Sequence, residues 1–176
     1  MPTFDPARLD RVAPTTFRGI GYRHQAPGFD PRSGEGARRF GGRFNPHHSF
    51  PVIYLCTTRD CAVAELTKQA ERQNIELSDL LPRELWSVEL ALERVLDLCG
   101  RPALASLELT AADLVLPDHA FTQAIGEAAH DRGFEAIWSR SATGVDDVIT
   151  VLLDNLGSRP INVEMTERWR TLDDLT

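Results

Sequence analysis

From Gly34 to Glu65 the chain reads GEGARRFGGRFNPHHSFPVIYLCTTRDCAVAE, and its second half decides the kind of fold. PVIYLCT is a short apolar run bounded by a proline and a threonine pair, the pattern of a buried strand. Thr57 or Thr58 then caps a helix running to about Gln73, with Ala62, Val63, Leu66 and Ala70 as its apolar face. Outward from this pair the elements are mixed. TFRGIGYR from Thr15, RELWSVELAL from Arg83 with ERVLDL close behind, EAIWS, the β-branched VITVLLDNL and INVEM read as strands. PALASLEL reads as a short helix, and PDHAFTQAIGEAAHDRG as a longer one, with Pro117 near its start and Gly133 just past its end. Residues 24–50 are rich in proline and glycine and read as a long loop. No regular strand–helix–strand alternation appears, so the expected class is α+β. The expected organisation is a lead-in over residues 1–14, helical or irregular, a domain over 15–156, and a C-terminal strand and tail over 157–176.

Composition sets limits on function. With 176 residues, 42% hydrophobic and 26% charged, the chain suits one ordinary globular domain that needs no disulfide or metal to hold its core. No apolar run approaches the roughly 20 residues that cross a bilayer. MPTFDPARLDRV has no apolar signal-peptide core, so the expected compartment is the cytoplasm. Cys56, Cys61 and Cys99 form no CxxC pair and are expected to stay reduced. A net charge of −7 disfavours direct nucleic-acid binding. Yet Arg18, Arg23, Arg32, Arg38, Arg39 and Arg43 crowd the first quarter of the chain, which suits a small anionic ligand.

Three groups in the quoted stretch carry chemistry. Arg43 sits in a glycine-flanked loop and can hold a phosphate. Tyr54 lies in the apolar strand and can hold a ring or sugar, or simply fill core. Glu65 sits early in the helix and can stabilise positive charge, or merely pair with Lys68 or Gln69. His24, His47, His48 and Cys56 show no metal-ligand spacing, so no metal is expected. There is no phosphate-binding GxxxxGK[ST] and no full GxGxxG. In the tail, TERWRTLDDLT, Trp169 stands exposed-looking among charges and could dock on the domain or on a partner.

FR at 17–18, GARRFGGRFNP at 36–46, VIYL at 52–55, AVAE at 62–65 and SRSA at 139–142 follow one another in an order that resembles the RES-domain family. The family takes its name from its Arg, Glu and Ser residues. Its members are bacterial toxins commonly paired with an Xre-like antitoxin. They are similar in fold to ADP-ribosyltransferases, and known members degrade NAD+ by hydrolysis or phosphorolysis. The resemblance therefore implies a mixed or antiparallel split sheet flanked by helices. It makes Arg18 and Arg43 the arginines, Tyr54 the tyrosine and Glu65 the glutamate. The family's Tyr-Pro-Ser-Ala is here Ser139-Arg140-Ser141-Ala142, so the Tyr-Pro pair is missing and two serines compete. Ala142 favours Ser141, while Ser139 remains a candidate for substrate binding.

The chemistry needs these types. The nicotinamide–ribose bond has a cationic leaving group, so breaking it requires a bound substrate and negative charge near the developing oxocarbenium. Glu65 takes that role and orients water or phosphate. On this resemblance Arg18 and Arg43 are expected to grip the pyrophosphate or adjacent phosphate oxygens. Gly42, beside Gly41, lets the backbone approach the ligand. Tyr54 packs on the nicotinamide or its ribose, with its hydroxyl free for a sugar oxygen. Ser141 bonds the ribose or orients the glutamate. Arg18 also admits a bland reading, as the partner of a structural ion pair. The resemblance thus implies NAD+ as substrate, either water or inorganic phosphate (then a co-substrate) as acceptor, and no cofactor. The partner the resemblance implies is an Xre-like antitoxin, in a hetero-oligomer. Two other functions compete: an ADP-ribosyltransferase with a macromolecular acceptor, and a catalytically weak module that binds a nucleotide or the antitoxin.

Overall fold

The apolar run around Tyr54 forms β2 (Val52–Cys56), which leads into the first long helix, α2 (Arg59–Gln73). Thr58 caps that helix, its hydroxyl accepting the Cys61 N–H at 3.1 Å. Asn74 ends it in the left-handed conformation, at φ 53°. The computed structural model describes residues 3–176, so the first two residues of the expected lead-in lie outside it. A 3₁₀ turn over Pro6–Arg11 opens the described chain. The remaining elements are β1 (Thr15–Gln25), α1 (Glu35–Phe40), β3 (Arg83–Asp97), α3 (Arg101–Leu107), α4 (Ala120–Asp131), β4 (Ala136–Arg140), β5 (Asp147–Leu152) and β6 (Asn162–Trp169). The fold is α+β.

The sheet runs in the order β1-β2-β5-β4-β3-β6, and β1 also pairs with β3. That second pairing extends from Thr15↔Val95 to Gln25↔Glu84 and closes five strands into a ring. The sheet is mixed: β3 and β4 are parallel, and the other pairs are antiparallel. Alternation along the strands sorts side chains to two faces. Ile53, Leu55, Val88, Leu90, Ile149 and Val151 fill the ring. On the other face of β2, β5 and β4 stand Tyr54 opposite Thr150, Thr150 opposite Ile137, and Ser139 opposite Val148. Part of that face packs under α4 through Val52, Ile137 and Leu152. Another part packs under α2 through Cys56, Cys61, Ala62 and Leu66. The gap between these two packed zones is where a ligand can reach the sheet.

Some elements differ from the sequence expectation. The expected loop over residues 24–50 contains α1, which is only six residues long. The helix expected from Pro117 starts at Ala120, because the Asp118 side chain takes the Ala120 N–H at 2.9 Å. VITVLLDNL stops being a strand at Leu152, and a 3₁₀ turn follows over Leu153–Leu156. There the Asn155 amide donates to the carbonyls of His130 and Phe134. Trp169, which looks exposed in sequence, is fully buried against the domain. Its indole N–H donates to Glu167 at 2.7 Å, and the Arg59 guanidinium lies 5.7 Å from the ring centroid. The neighbouring charges serve the indole rather than marking an exposed site. β6, which carries it, pairs along the first half of β3.

Candidate functional site

A cleft of about 710 Å³ opens between α2 and the segment from α1 to α4, over the exposed face of β2, β5 and β4. Glu65, Lys68, Gln69 and Arg72 line one wall. Their i, i+3, i+4, i+7 spacing puts them on one face of α2. Gly41, Gly42, Arg43, His119 and Gln123 line the other wall, and Tyr54, Ser139, Val148 and Thr150 lie along the floor. Arg23, Arg43, Lys68, Arg72 and Arg140 bring five cationic side chains to the lining. Among the described residues, Glu65 is the one carboxylate there. In a chain with a net charge of −7, this is a local reversal of sign.

The carboxylate is held in place. The Ser141 hydroxyl donates to Glu65 Oε1 at 2.9 Å and lies 2.6 Å from the Thr143 hydroxyl. Ser141 is itself fixed in a tight turn, its N–H on the Asp146 carbonyl at 3.0 Å. Lys68 does not pair with Glu65; its ammonium donates to the Ala142 carbonyl at 2.7 Å and pins the same turn. Ser139 and Ser141 thus part company at the end of β4. Ser141 touches the glutamate, and Ser139 belongs to the floor.

The arginine loop is clamped from two sides. Helix α4 contacts three successive carbonyls: Gln123 donates to Gly42, Thr122 donates to Arg43, and Gly126 packs against Phe44. From β2, the Tyr54 hydroxyl donates to Asn45 Oδ1 at 2.7 Å and accepts the Phe44 N–H at 2.9 Å. Gly41 has φ +73°, and a Cβ at Gly42 would come within 2.6 Å of the Tyr54 hydroxyl. The guanidinium of Arg43 donates to the Leu114 carbonyl at 2.5 Å. Burial lowers its pKa from the usual range, and nearby Glu65 works the other way. The charge persists in either case.

Two expectations change here. The Tyr54 hydroxyl is not free for a sugar, because it ties Asn45 and Phe44 together; burial pushes its pKa up. Its ring still lines the cleft. Arg18 lies outside the cleft, with its side chain 69% exposed and paired with Glu93 at 2.7 Å. That placement matches the bland reading of Arg18, an ion-pair partner away from the cleft. The arginine of β1 that reaches the cleft is Arg23, whose guanidinium donates to the carbonyls of Pro31 and Ser33, both at 2.9 Å. Its pKa is lowered by burial. The sequence signal for Arg23 was its place in the arginine-rich first quarter, which gave no reason to prefer it over Arg18.

Two predictions arise from this geometry. Tyr54→Phe strands the Asn45 acceptor and the Phe44 donor, so unfolding free energy in urea should fall by roughly 1–3 kcal/mol. An unchanged urea midpoint would mean that the clamp does not stabilise the loop. His24 lines the cleft with a buried Nδ1 that has no partner among the described residues. Burial, then the charges of Arg83 and Arg23, push its pKa from 6.5 down to about 3. Between these values the unfolded chain takes up a proton that the folded chain refuses. This contribution is therefore complete above about pH 6.5 and declines toward pH 3, by at most about 1.4 kcal/mol per pH unit. Urea unfolding of wild type and His24→Phe across that window should show a shallower pH slope in the variant. Parallel slopes would place the acid sensitivity elsewhere.

The chain compares closely with known proteins. The family model described as the RES domain matches residues 16–170. A Mycobacterium bovis protein named NAD(+) phosphorylase MbcT is 33% identical over 145 residues, covering 81% of this chain and 78% of that protein. The Mycobacterium tuberculosis protein of the same name matches to the same extent, 33% over 145 residues. The crystal structure of the M. tuberculosis MbcT–MbcA toxin–antitoxin complex aligns with a TM-score of 0.82 at 25% identity. The alignment covers 94% of this chain and 91% of that one.

Proposed function

The chain belongs to the RES domain family, and from that premise we propose that it degrades NAD+ by breaking the nicotinamide–ribose bond, as the toxin of a toxin–antitoxin pair. The observation that carries this reading is the carboxylate of Glu65, fixed by Ser141 in a cleft whose Lys and Arg lining side chains number five and which, among the described residues, holds no other carboxylate. Such a site suits a dinucleotide whose pyrophosphate is anionic and whose reacting sugar turns cationic. The cations on the two walls hold phosphate oxygens, Arg43 foremost, with Arg23 in the place first expected of Arg18. As the C1–N bond breaks, its electron pair leaves with nicotinamide, and Glu65 stabilises the oxocarbenium that remains. An acceptor oxygen then closes on C1. Phosphate would give the ribose 1-phosphate of ADP-ribose. Water would give ADP-ribose and release a proton.

Phosphate is the acceptor favoured here, because the relatives at 33% identity carry the name NAD(+) phosphorylase. In this proposal NAD+ and phosphate are substrates and the reaction uses no cofactor. The proposed partner is an Xre-like antitoxin, in a hetero-oligomer, and the proposed compartment is the cytoplasm. Among the described residues no helix is long and apolar enough to cross a membrane. The test is to incubate partner-free protein with NAD+, with and without phosphate, and resolve the products by chromatography. Nicotinamide with a phosphorylated sugar supports phosphorolysis, and free ADP-ribose supports hydrolysis. Label left on a macromolecule would favour the transferase. No product in either buffer would favour the binding module.

A further inference from the structure

The floor of the cleft holds a polar group that no described residue hydrogen-bonds. Thr150 lies at the centre of β5, in the run Val148, Ile149, Thr150, Val151, Leu152. Its neighbours across the sheet are Tyr54 on β2 and Ile137 on β4. The residue is fully buried, it lines the cleft, and among the described residues its Oγ1 has no hydrogen-bond partner. A buried hydroxyl without a partner is destabilising, and valine would fill the same β-branched shape without that cost. A strand this apolar gains nothing for its own fold from the hydroxyl.

We propose that Thr150 recognises the carboxamide of the nicotinamide ring, which lies on the cleft floor beside Glu65. The inference rests on the NAD+ reading above and adds the determinant of the leaving group. Three observations favour the carboxamide over other parts of the substrate. The floor is neutral, with Tyr54, Ser139, Val148 and Thr150, and the cations stand on the walls and rim. Phosphates are drawn to those cations, so the floor is left for an uncharged planar group. The bond to be broken must lie near Glu65, and the ring is directly attached to it. A hydroxyl both donates and accepts, as a carboxamide does. A nicotinate carboxylate in the same place would be a buried charge with no cation lining the floor, so the site discriminates amide from acid.

The experiment is calorimetric titration of the Glu65→Gln protein, in which cleavage is strongly slowed, with and without Thr150→Val. NAD+ should bind roughly tenfold more weakly when the hydroxyl is replaced, the size of one hydrogen bond lost. ADP-ribose, which lacks the ring, should bind equally well to both. The melting temperature of the unliganded valine variant should equal or exceed that of its parent. A matching loss for ADP-ribose, an unchanged NAD+ affinity, or no NAD+ binding by the parent would each overturn the assignment. NAD+ that binds as expected but is not cleaved by wild type would overturn the proposed reaction and leave the assignment standing.

Discussion

Glu65→Gln is expected to lower kcat for NAD+ cleavage by on the order of 10²–10³-fold, with KM and melting temperature close to wild type. The glutamine keeps the shape of the side chain and an oxygen for the Ser141 hydroxyl, which now donates at 2.9 Å to Glu65 Oε1. What it removes is the negative charge. Positive charge develops on the sugar only as the bond breaks, so the loss belongs in kcat rather than in ground-state binding. Ser141→Ala should show a smaller fall, on the order of tenfold, since the charge remains but its orientation loosens. Steady-state kinetics on the two variants separates charge from position. Turnover within a few-fold of wild type in Glu65→Gln would remove this residue from the chemistry.

Gly126→Ala is expected to destabilise the fold by about 3 kcal/mol, lowering the melting temperature by roughly 6–12 °C. Two effects oppose each other here. Gly126 lies inside α4, where alanine would ordinarily stabilise the helix by about 1 kcal/mol. But a Cβ at this position would lie 1.6 Å from the Phe44 carbonyl oxygen and 2.6 Å from its carbon. Those atoms are backbone and cannot rotate away. To admit the methyl group, the loop must lift from the helix, with strain on the Thr122–Arg43 and Gln123–Gly42 bonds beside it. Activity should therefore fall together with stability. A thermal scan decides the sign, and a rise in melting temperature would show that the loop yields at no cost.

These two glycine and glutamate positions differ in how well the sequence announces them. Glu65 was legible because a capped helix follows an apolar strand within a few residues, and local signals fix its place. Tyr54 was legible as a floor residue for the same reason. Its hydroxyl bonds were not, since they depend on where the loop around Asn45 folds back. Arg18 and Arg23 share β1, and choosing between them needs the partners across the fold. Arg18 finds Glu93 from β3, while Arg23 finds Pro31 and Ser33 from the loop that follows β1. Gly126 left only the mild signal of a glycine within a helical run. Trp169 left docking on the domain or on a partner open, because its charged neighbours Arg59 and Glu167 stay part-exposed while the indole between them is buried on the domain. Thr150 showed itself only as a lone hydroxyl in an apolar strand, a pattern that β-branching alone can explain.

The closed ring of strands also sets when the protein can become active. Tyr54 pairs with Thr150, and β1 must find β3, so the floor is built from contacts distant in sequence. Such topologies fold slowly, in roughly milliseconds to seconds, because loop closure precedes the gain from pairing. A nascent chain that already displays Arg43, Tyr54 and Glu65 has no cleft, since Ser139, Ser141 and Thr150 emerge much later. For an enzyme that would consume the NAD+ of the cell making it, late assembly is a safeguard during translation. Synthesis interrupted before β5 yields an inert fragment, and a partner that recognises the finished cleft has no need to bind the growing chain.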